Sequence, residues 1–565
     1  MNKNLFLVWL FLSAMLLTPI GVSAQVTIGS SNPPSRMALL DLDASKQAKA
    51  LHNARLTTEQ RDSLVSEASS AEDQALAEGL LLYNITNDCL EFWNGSQWIS
   101  LCTSLLPPPE YDYDGFRFIR GWNDLAAIAN NLAGNFRLAN TLNRNSPYYE
   151  MTAGGWDADG WMPLGTFDGT FDGNGFEILD LWINRPDSTN QGLFANVGNA
   201  GTIHSVHIGT TTAGIVGNSI VGGIVASNDG LIHNVRFSGA ITGNWDNILP
   251  FVGVGGIVGI NFQEGRIRDA INHGNIQGGR TVGGIVGNQA SFYDMERVGN
   301  HGEITGVGTV PASNVEIGGI VGYWSTASNL RYSFNTGNVE GNSLVGGLVG
   351  SFDVGGIFID QSFNQGNVSG ISSVGGITGW TMTMAVVTNS YNIGNVSGGD
   401  GAGGIVGEHE GGMTNVFNTG NVTGSSEIGG LAGWIHASNN TAASYALNQI
   451  TSASGSPAGR VGGSLNGSFM NVFARNNMTI TANGVPVTFT PNANNIHGAD
   501  ISFVDATDVN AAAYIGNGWD FDTIWIRGYT PGTPGIGSTA NLPILRVFLD
   551  RDLFPTVTQN PTMTP

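Results

Sequence analysis

Small apolar residues and glycines recur along the middle of this chain in one order: an apolar residue, a Gly-Gly pair, then two or three small apolar residues. The motif reads VGGIVA at Val221, VGGIVG at Val254 and Val282, and IGGIVG at Ile317. It continues as VGGLVG at Val345, VGGITG at Val374, AGGIVG at Ala402 and IGGLAG at Ile428, with a worn copy, VGGSLN, at Val461. Successive pairs lie roughly 26 to 35 residues apart, a period that marks repeat architectures. A unit this short cannot bury its own apolar face, so it must stack on copies of itself. The pattern predicts a mostly β fold, a parallel β-helix over 192–465 in which each unit is one coil of two or three short strands. By plain alternation the valines and the central isoleucine of VGGIVG fall on opposite strand faces. Either both faces are buried, or the Gly-Gly pair makes a bulge that resets the parity.

A second element follows each Gly-Gly strand. It reads SFNTGNVEG at Ser333, SFNQGNVSG at Ser362, SYNIGNVSG at Ser390 and VFNTGNVTG at Val416. Earlier copies, AINHGNIQG at Ala270 and RVGNHGEITG at Arg297, are degenerate. In stacked coils Phe334, Phe363, Tyr391 and Phe417 would lie above one another as a core ladder. Asn335, Asn364, Asn392 and Asn418 would form a parallel ladder of amide hydrogen bonds.

A stack of coils ends in exposed sheet edges that need covers. The pattern at 115–191 predicts the N-terminal cap, with a short helix over Leu125 to Leu132 capped by Asn123 or Asp124. Residues 466–552 lose the repeat but keep strand-like pieces and read as the C-terminal cap. Residues 553–565 lack apolar periodicity and read as a disordered tail.

The start of the chain has other patterns. Residues 1–24 carry Lys3, an apolar run from Leu5 to Leu17 and a small-residue site at Val22-Ser23-Ala24, which together predict a secretory signal peptide. Residues 25–106 form a first module, with a helix expected around Thr57 to Ser66. Residues 107–114 open on Pro107-Pro108-Pro109 and read as a stiff linker. The only cysteines, Cys89 and Cys102, flank LEFWNGSQWISL. If Trp93 pairs with Trp98 across a four-residue loop, Cys89 and Cys102 pair in the same register, and an exported protein permits a disulfide there. The alternative is two free core cysteines.

Two resemblances follow from these pieces. VTIGSSNPPSRMALLDLDA, ARLTTEQRDSL and EGLLLYNITNDCLEFWNGSQWISLC resemble an N-terminal module of exported bacterial surface and fibre-like proteins, which implies an assembly or tethering role. The Gly-Gly repeats, together with TFDGTFDGNGFEILDLWI at Thr166 and GLFANV at Gly192, resemble GLUG-repeat proteins over roughly 115–550. Those are bacterial surface proteins often described as adhesin-like.

Net charge is −22 with only 12% charged residues, which argues against nucleic acid and anionic membrane surfaces as partners. No later stretch is apolar enough for membrane insertion. The expected location is extracellular or at the cell surface, after cleavage near Ala24.

His409-Glu410-Gly411-Gly412-Met413 opens like a zinc-protease motif but lacks the second histidine one helical turn on. Asp157-Ala158-Asp159-Gly160 and Asp168 to Gly175 read as turns rather than calcium loops. The acids of the repeats, among them Glu264, Glu340, Asp360 and Glu410, sit at scattered offsets, so no enzyme activity, metal or cofactor is expected. The residue after each repeat's last glycine varies: Ile260, Asn288, Tyr323, Ser351, Trp380, Glu408, Trp434. Variation at a fixed position suggests exposure. Tyr323, Trp324, Trp380 and Trp434 are therefore the candidate binding residues, for a glycan or a surface protein. The expected function is a non-catalytic, adhesin-like scaffold. The alternatives are a polysaccharide-degrading β-helix enzyme and a structural fibre subunit.

Overall fold

The computed structural model describes residues 54–66, 79–86, 89–100 and 110–550, with gaps at 155–158, 245–251, 309–314, 437–440, 456, 467–468, 509 and 527–541. It also describes the strands Val26–Ile28 and Leu40–Leu42 and the single residues Thr558, Gln559, Pro561 and Met563. The signal-peptide reading and residues 107–109 of the proline linker lie outside these residues. The chain divides into two compact units, Met1–Pro109 and Glu110–Pro565.

In the first unit Leu81–Asn84, Cys89–Trp93 and Trp98–Ser100 form an antiparallel meander, with Arg55–Leu56 added parallel at its edge. Trp93 pairs with Trp98, their rings 5.5 Å apart. The helix Thr58–Ser66 is held to the sheet by Arg61, whose Nη1 donates to buried Glu91 Oε2 at 2.7 Å. Asn84 Nδ2 donates to the same oxygen at 2.9 Å. Cys89 is buried, and among the described residues no cysteine is free. Cys102 lies outside them.

The second unit is a parallel β-solenoid. A middle coil shows its plan. The first strand, Ser343–Gly346, turns at Gly347-Leu348 into the second, Val349–Phe352. Phe358–Asp360, Phe363–Asn364 and Val368–Ser369 follow as the third, fourth and fifth. Each pairs in parallel with its counterpart in the next coil. Among the described residues the first strands build a nine-stranded sheet and the second strands an eleven-stranded one. The coils thus have four strands near the start of the rod and five further on, rather than two or three.

The Gly-Gly pair is the corner between two sheets, which settles the parity. Val345, next to last in its strand, faces inward; the corner turns the chain, and Leu348 and Val349 face inward again. A Cβ on Gly347 would lie 2.1 Å from the Gly376 carbonyl oxygen and 2.5 Å from Cγ of Asn364. The same two clashes recur at Gly284, Gly319 and Gly376. Close approach thus excludes any side chain at the second glycine, and the motif's other half, the asparagine, is what it approaches.

Asn272, Asn300, Asn335, Asn364, Asn392 and Asn418 are all buried. Each Nδ2 donates to the next residue's Oδ1 at 2.7 to 2.9 Å. Each also donates to the carbonyl two residues on, such as Gly366. The two degenerate copies therefore belong to the same ladder. At its end the next position is Ala446, and Asn418 donates instead to the Gly430 carbonyl at 2.9 Å.

Phe334, Phe363, Tyr391 and Phe417 stack with centroids 5.8, 5.1 and 4.9 Å apart. They do not belong to the rod's interior. They form a second apolar cluster with Tyr514, Trp519, Trp525, Leu545 and Phe548 of the C-terminal segment. That segment is more than an end cap. The hairpin of Thr479–Ala482 with Val485–Pro486 and the strand Ala499–Ile501 follow the last coils, but later residues lie along the rod's side. Phe548 meets Phe363 edge-on at 4.8 Å. Trp519 Nε1 donates to Ala443 O, and Tyr445 hydroxyl donates to Ala513 O. The tail reading also needs correction where the tail is described: Gln559 and Met563 are buried, and Gln559 Oε1 accepts from the Tyr391 hydroxyl at 3.0 Å.

At the other end Trp122, Leu125, Ile128 and Leu138 cover the core. The helix is Trp122–Ala126 followed by a tighter turn, Ala127–Asn130, and starts after Gly121 rather than at Asn123. Asp124 turns back to accept from the Arg120 amide. Pairing with later coils begins already at Phe136–Leu138 and Leu164–Phe167, inside the expected cap.

Candidate functional site

The second-strand register aligns Asn288, Tyr323, Ser351, Trp380, Glu408, Trp434 and Ser464 in one column. Exposure along it is uneven. Ile260, Asn288 and Ser351 are buried, because the first strands lie against this face. Ser373, in a first strand, donates from Oγ to Glu408 of the column at 3.2 Å. Variation at a repeat position therefore did not report exposure here. Tyr323, Trp380 and Trp434 remain half-buried.

Trp324 is corrected outright. It alternates with Tyr323, points into the rod, is fully buried, and donates from Nε1 to Ser328 Oγ at 3.2 Å. Phe352 follows it in the same inward column. His409 does too. It is fully buried between Thr381 Oγ1 at 2.9 Å from Nδ1 and Thr441 Oγ1 at 3.3 Å from Nε2. Burial, with a smaller effect from His436, pulls its imidazole down to about 3. It is a neutral core residue with both nitrogens satisfied.

Around Trp434 polar groups converge. The His436 ring lies 4.4 Å from the Trp434 ring, and its Nε2 is 2.9 Å from Glu408 Oε1. Ser373 Oγ donates to Glu408 Oε2 at 3.2 Å. Burial first, then Asp400 and Glu408, raise the carboxyl of Glu427. Three acids from neighbouring coils thus share one corner. Two of the three, Glu408 and Glu427, sit on different strands of the coil, so no shared repeat offset marks them. A similar arrangement surrounds Tyr323, whose hydroxyl donates to Asp353 Oδ2 at 2.6 Å. Burial and that bond raise the phenol strongly. Nearby Glu316, buried beside Arg280 and Thr281, is pushed up to about 7 by burial. Among the described residues no three His, Cys, Asp or Glu side chains are arranged to hold a metal ion.

Residues 27–115 match the family model of a phage tail like trimerisation region. The chain is 37% identical over 99 residues to Halomucin of Haloquadratum walsbyi, spanning 17% of this chain and 1% of Halomucin. It is 33% identical over 81 residues to a protein of Evansella cellulosilytica named as a Gly-rich membrane protein, spanning 14% of this chain and 9% of that one. The chain thus matches only a small share of either relative. A crystal structure of a protein described as an immunoglobulin A1 protease, from Bacteroides ovatus, aligns with 79% of this chain and 96% of its own at 17% identity. Its TM-score of 0.29 carries no argument about fold or activity. Among the described residues no helix is long and apolar enough to cross a membrane.

Proposed function

We propose that this chain is a secreted or surface-exposed, adhesin-like scaffold of GLUG type, without catalysis of its own, whose first module joins three copies. The observation that carries the binding half is the column in which Tyr323, Trp380 and Trp434 stay partly open on the side of a rigid rod. Partly exposed tryptophan faces suit sugar rings or a protein partner. Assembly is supported by the match of residues 27–115 to a trimerisation region. Light scattering on the chain lacking residues 1–24 tests it: three times the monomer mass is expected, and a monomer removes the trimer. Glycan-array binding, repeated with Trp380→Ala and Trp434→Ala, tests the column; unchanged binding removes it.

One observation favours a second reading. Asp400, Glu408 and Glu427 gather beside Trp434, and cleavage of a glycosidic bond needs two carboxyl groups within several ångströms. Release of reducing ends from a polysaccharide, abolished by Glu427→Gln, would favour this enzyme over the scaffold.

A further inference from the structure

The outer column of the second strands alternates. Tyr323, Trp380 and Trp434 stand on every second coil, with Ser351 and Glu408 on the coils between them. Asn288 precedes the first ring and Ser464 follows the last, so the alternation holds at both ends. Crowding does not impose it. On the seam side Phe334, Phe363, Tyr391 and Phe417 stack on four successive coils at 4.9 to 5.8 Å, so the solenoid accepts a ring on every coil.

The alternation sets a length. Parallel strands lie about 4.8 Å apart, so rings two coils apart repeat at about 9.6 Å along the rod. From Tyr323 to Trp434 the column spans about 19 Å. Ser351 is buried between its neighbours, so the rings rather than the serine meet a ligand. Two of the rings are held in place beforehand: Tyr323 by its hydroxyl bond to Asp353, and Trp434 by the His436 ring 4.4 Å away. Side chains already held lose little freedom on binding.

The charge beside the column is acidic. Asp353, Asp400, Glu408 and Glu427 lie along it. The basic groups facing them among the described residues are Arg280, 4.0 Å from Glu316, and His436, on Glu408. Carboxylates accept hydrogen bonds from hydroxyls and repel anions. A neutral, hydroxyl-rich ligand is thus favoured over a uronic or sulfated one.

Resting on the column as a binding surface, we propose that it takes a neutral, extended β-1,4-linked glycan lying along the rod, with alternate sugar rings on Tyr323, Trp380 and Trp434. In such a glycan each ring is turned over relative to the last. Every second ring therefore presents the same face, at an interval close to that of the column. The aromatic rings take the apolar sugar faces, and Glu408 accepts from hydroxyls between them. The contacts fall on the first, third and fifth sugars. An α-1,4-linked glucan coils and does not keep this register.

The test is calorimetric titration of the full chain with cello-oligosaccharides of two to six sugars, against maltohexaose and a galacturonate hexamer. Affinity is expected to climb to the pentamer and then level off, with no binding of the other two. Trp380→Ala removes the middle contact and should weaken cellohexaose by about 3- to 10-fold, while Trp380→Phe, which keeps a ring, retains most of the affinity. Trp434→Ala leaves two rings and should move the plateau from the pentamer to the trimer. Unchanged circular-dichroism melts check that the variants fold, and either tryptophan variant serves if the other does not. No binding of cellohexaose, equal binding of maltohexaose, a plateau already at the dimer, or indifference to both alanine variants overturns the assignment to this glycan. If another glycan of the array then loses binding in Trp380→Ala, the column stands as a binding surface with a different ligand. If none does, the column falls as well.

Discussion

The two residues of the repeated Phe-Asn pair face opposite ways and are buried by different means. Asn364 points into the rod, where its amide is fully engaged by the coils above and below and by Gly366. Phe363, one residue earlier, points out, and is buried only because Phe548 and its neighbours return from the chain's end to cover it. The inner ladder is made by the repeat itself and lengthens with each copy. The outer seam needs a segment that is not a repeat. Burial alone therefore does not distinguish the solenoid's own core from an intramolecular docking surface.

The sharpest break in that comparison is Asn364→Leu. It leaves Asn335 Nδ2 without its ladder acceptor and the Gly366 carbonyl without its donor, in a place water cannot reach. A loss of about 3–5 kcal/mol is expected in chemical denaturation, with the whole rod affected because neighbouring coils unfold together. Phe548→Ala should cost about 3 kcal/mol, but locally. Hydrogen exchange should rise in 503–550 and over the Phe334 to Tyr445 seam while the Asn ladder stays protected. Equal exchange in both regions would deny that the seam is a separate layer.

Two buried titratable groups give opposite pH responses. Glu316, pushed up to about 7, keeps its proton in the folded chain where the unfolded chain has released it. Its contribution to stability therefore falls as pH rises from about 4.5 to about 7. His409, held neutral down to about 3, does the reverse: its contribution is full above about 6.5 and lost as pH falls towards 3. Melting curves across pH should flatten above pH 4.5 in Glu316→Gln and below pH 6.5 in His409→Gln. The smallest effect on stability is expected for Trp434→Ala, under about 1 kcal/mol because the ring is only partly covered; a larger loss would make it a core residue rather than a binding one.

Much of the fold was legible because a repeat repeats its evidence. Six asparagines at one offset, each with a Gly-Gly pair, specify stacking without any knowledge of the rest. The candidate column was legible as a column but not as a surface. Tyr323 and Trp324 are adjacent, and only the strand's direction decides that one half-faces solvent and the other fills the core.

By itself, then, the sequence determined the parallel stacking, the coil period and the need for glycine at the corner, because each follows from contacts between like residues one period apart. Which faces ended up covered was decided only in three dimensions. The C-terminal segment lies on the Phe334 to Tyr445 seam, and the first strands lie over Ile260 and Ser351, through contacts between unlike segments whose pairing no periodicity encodes.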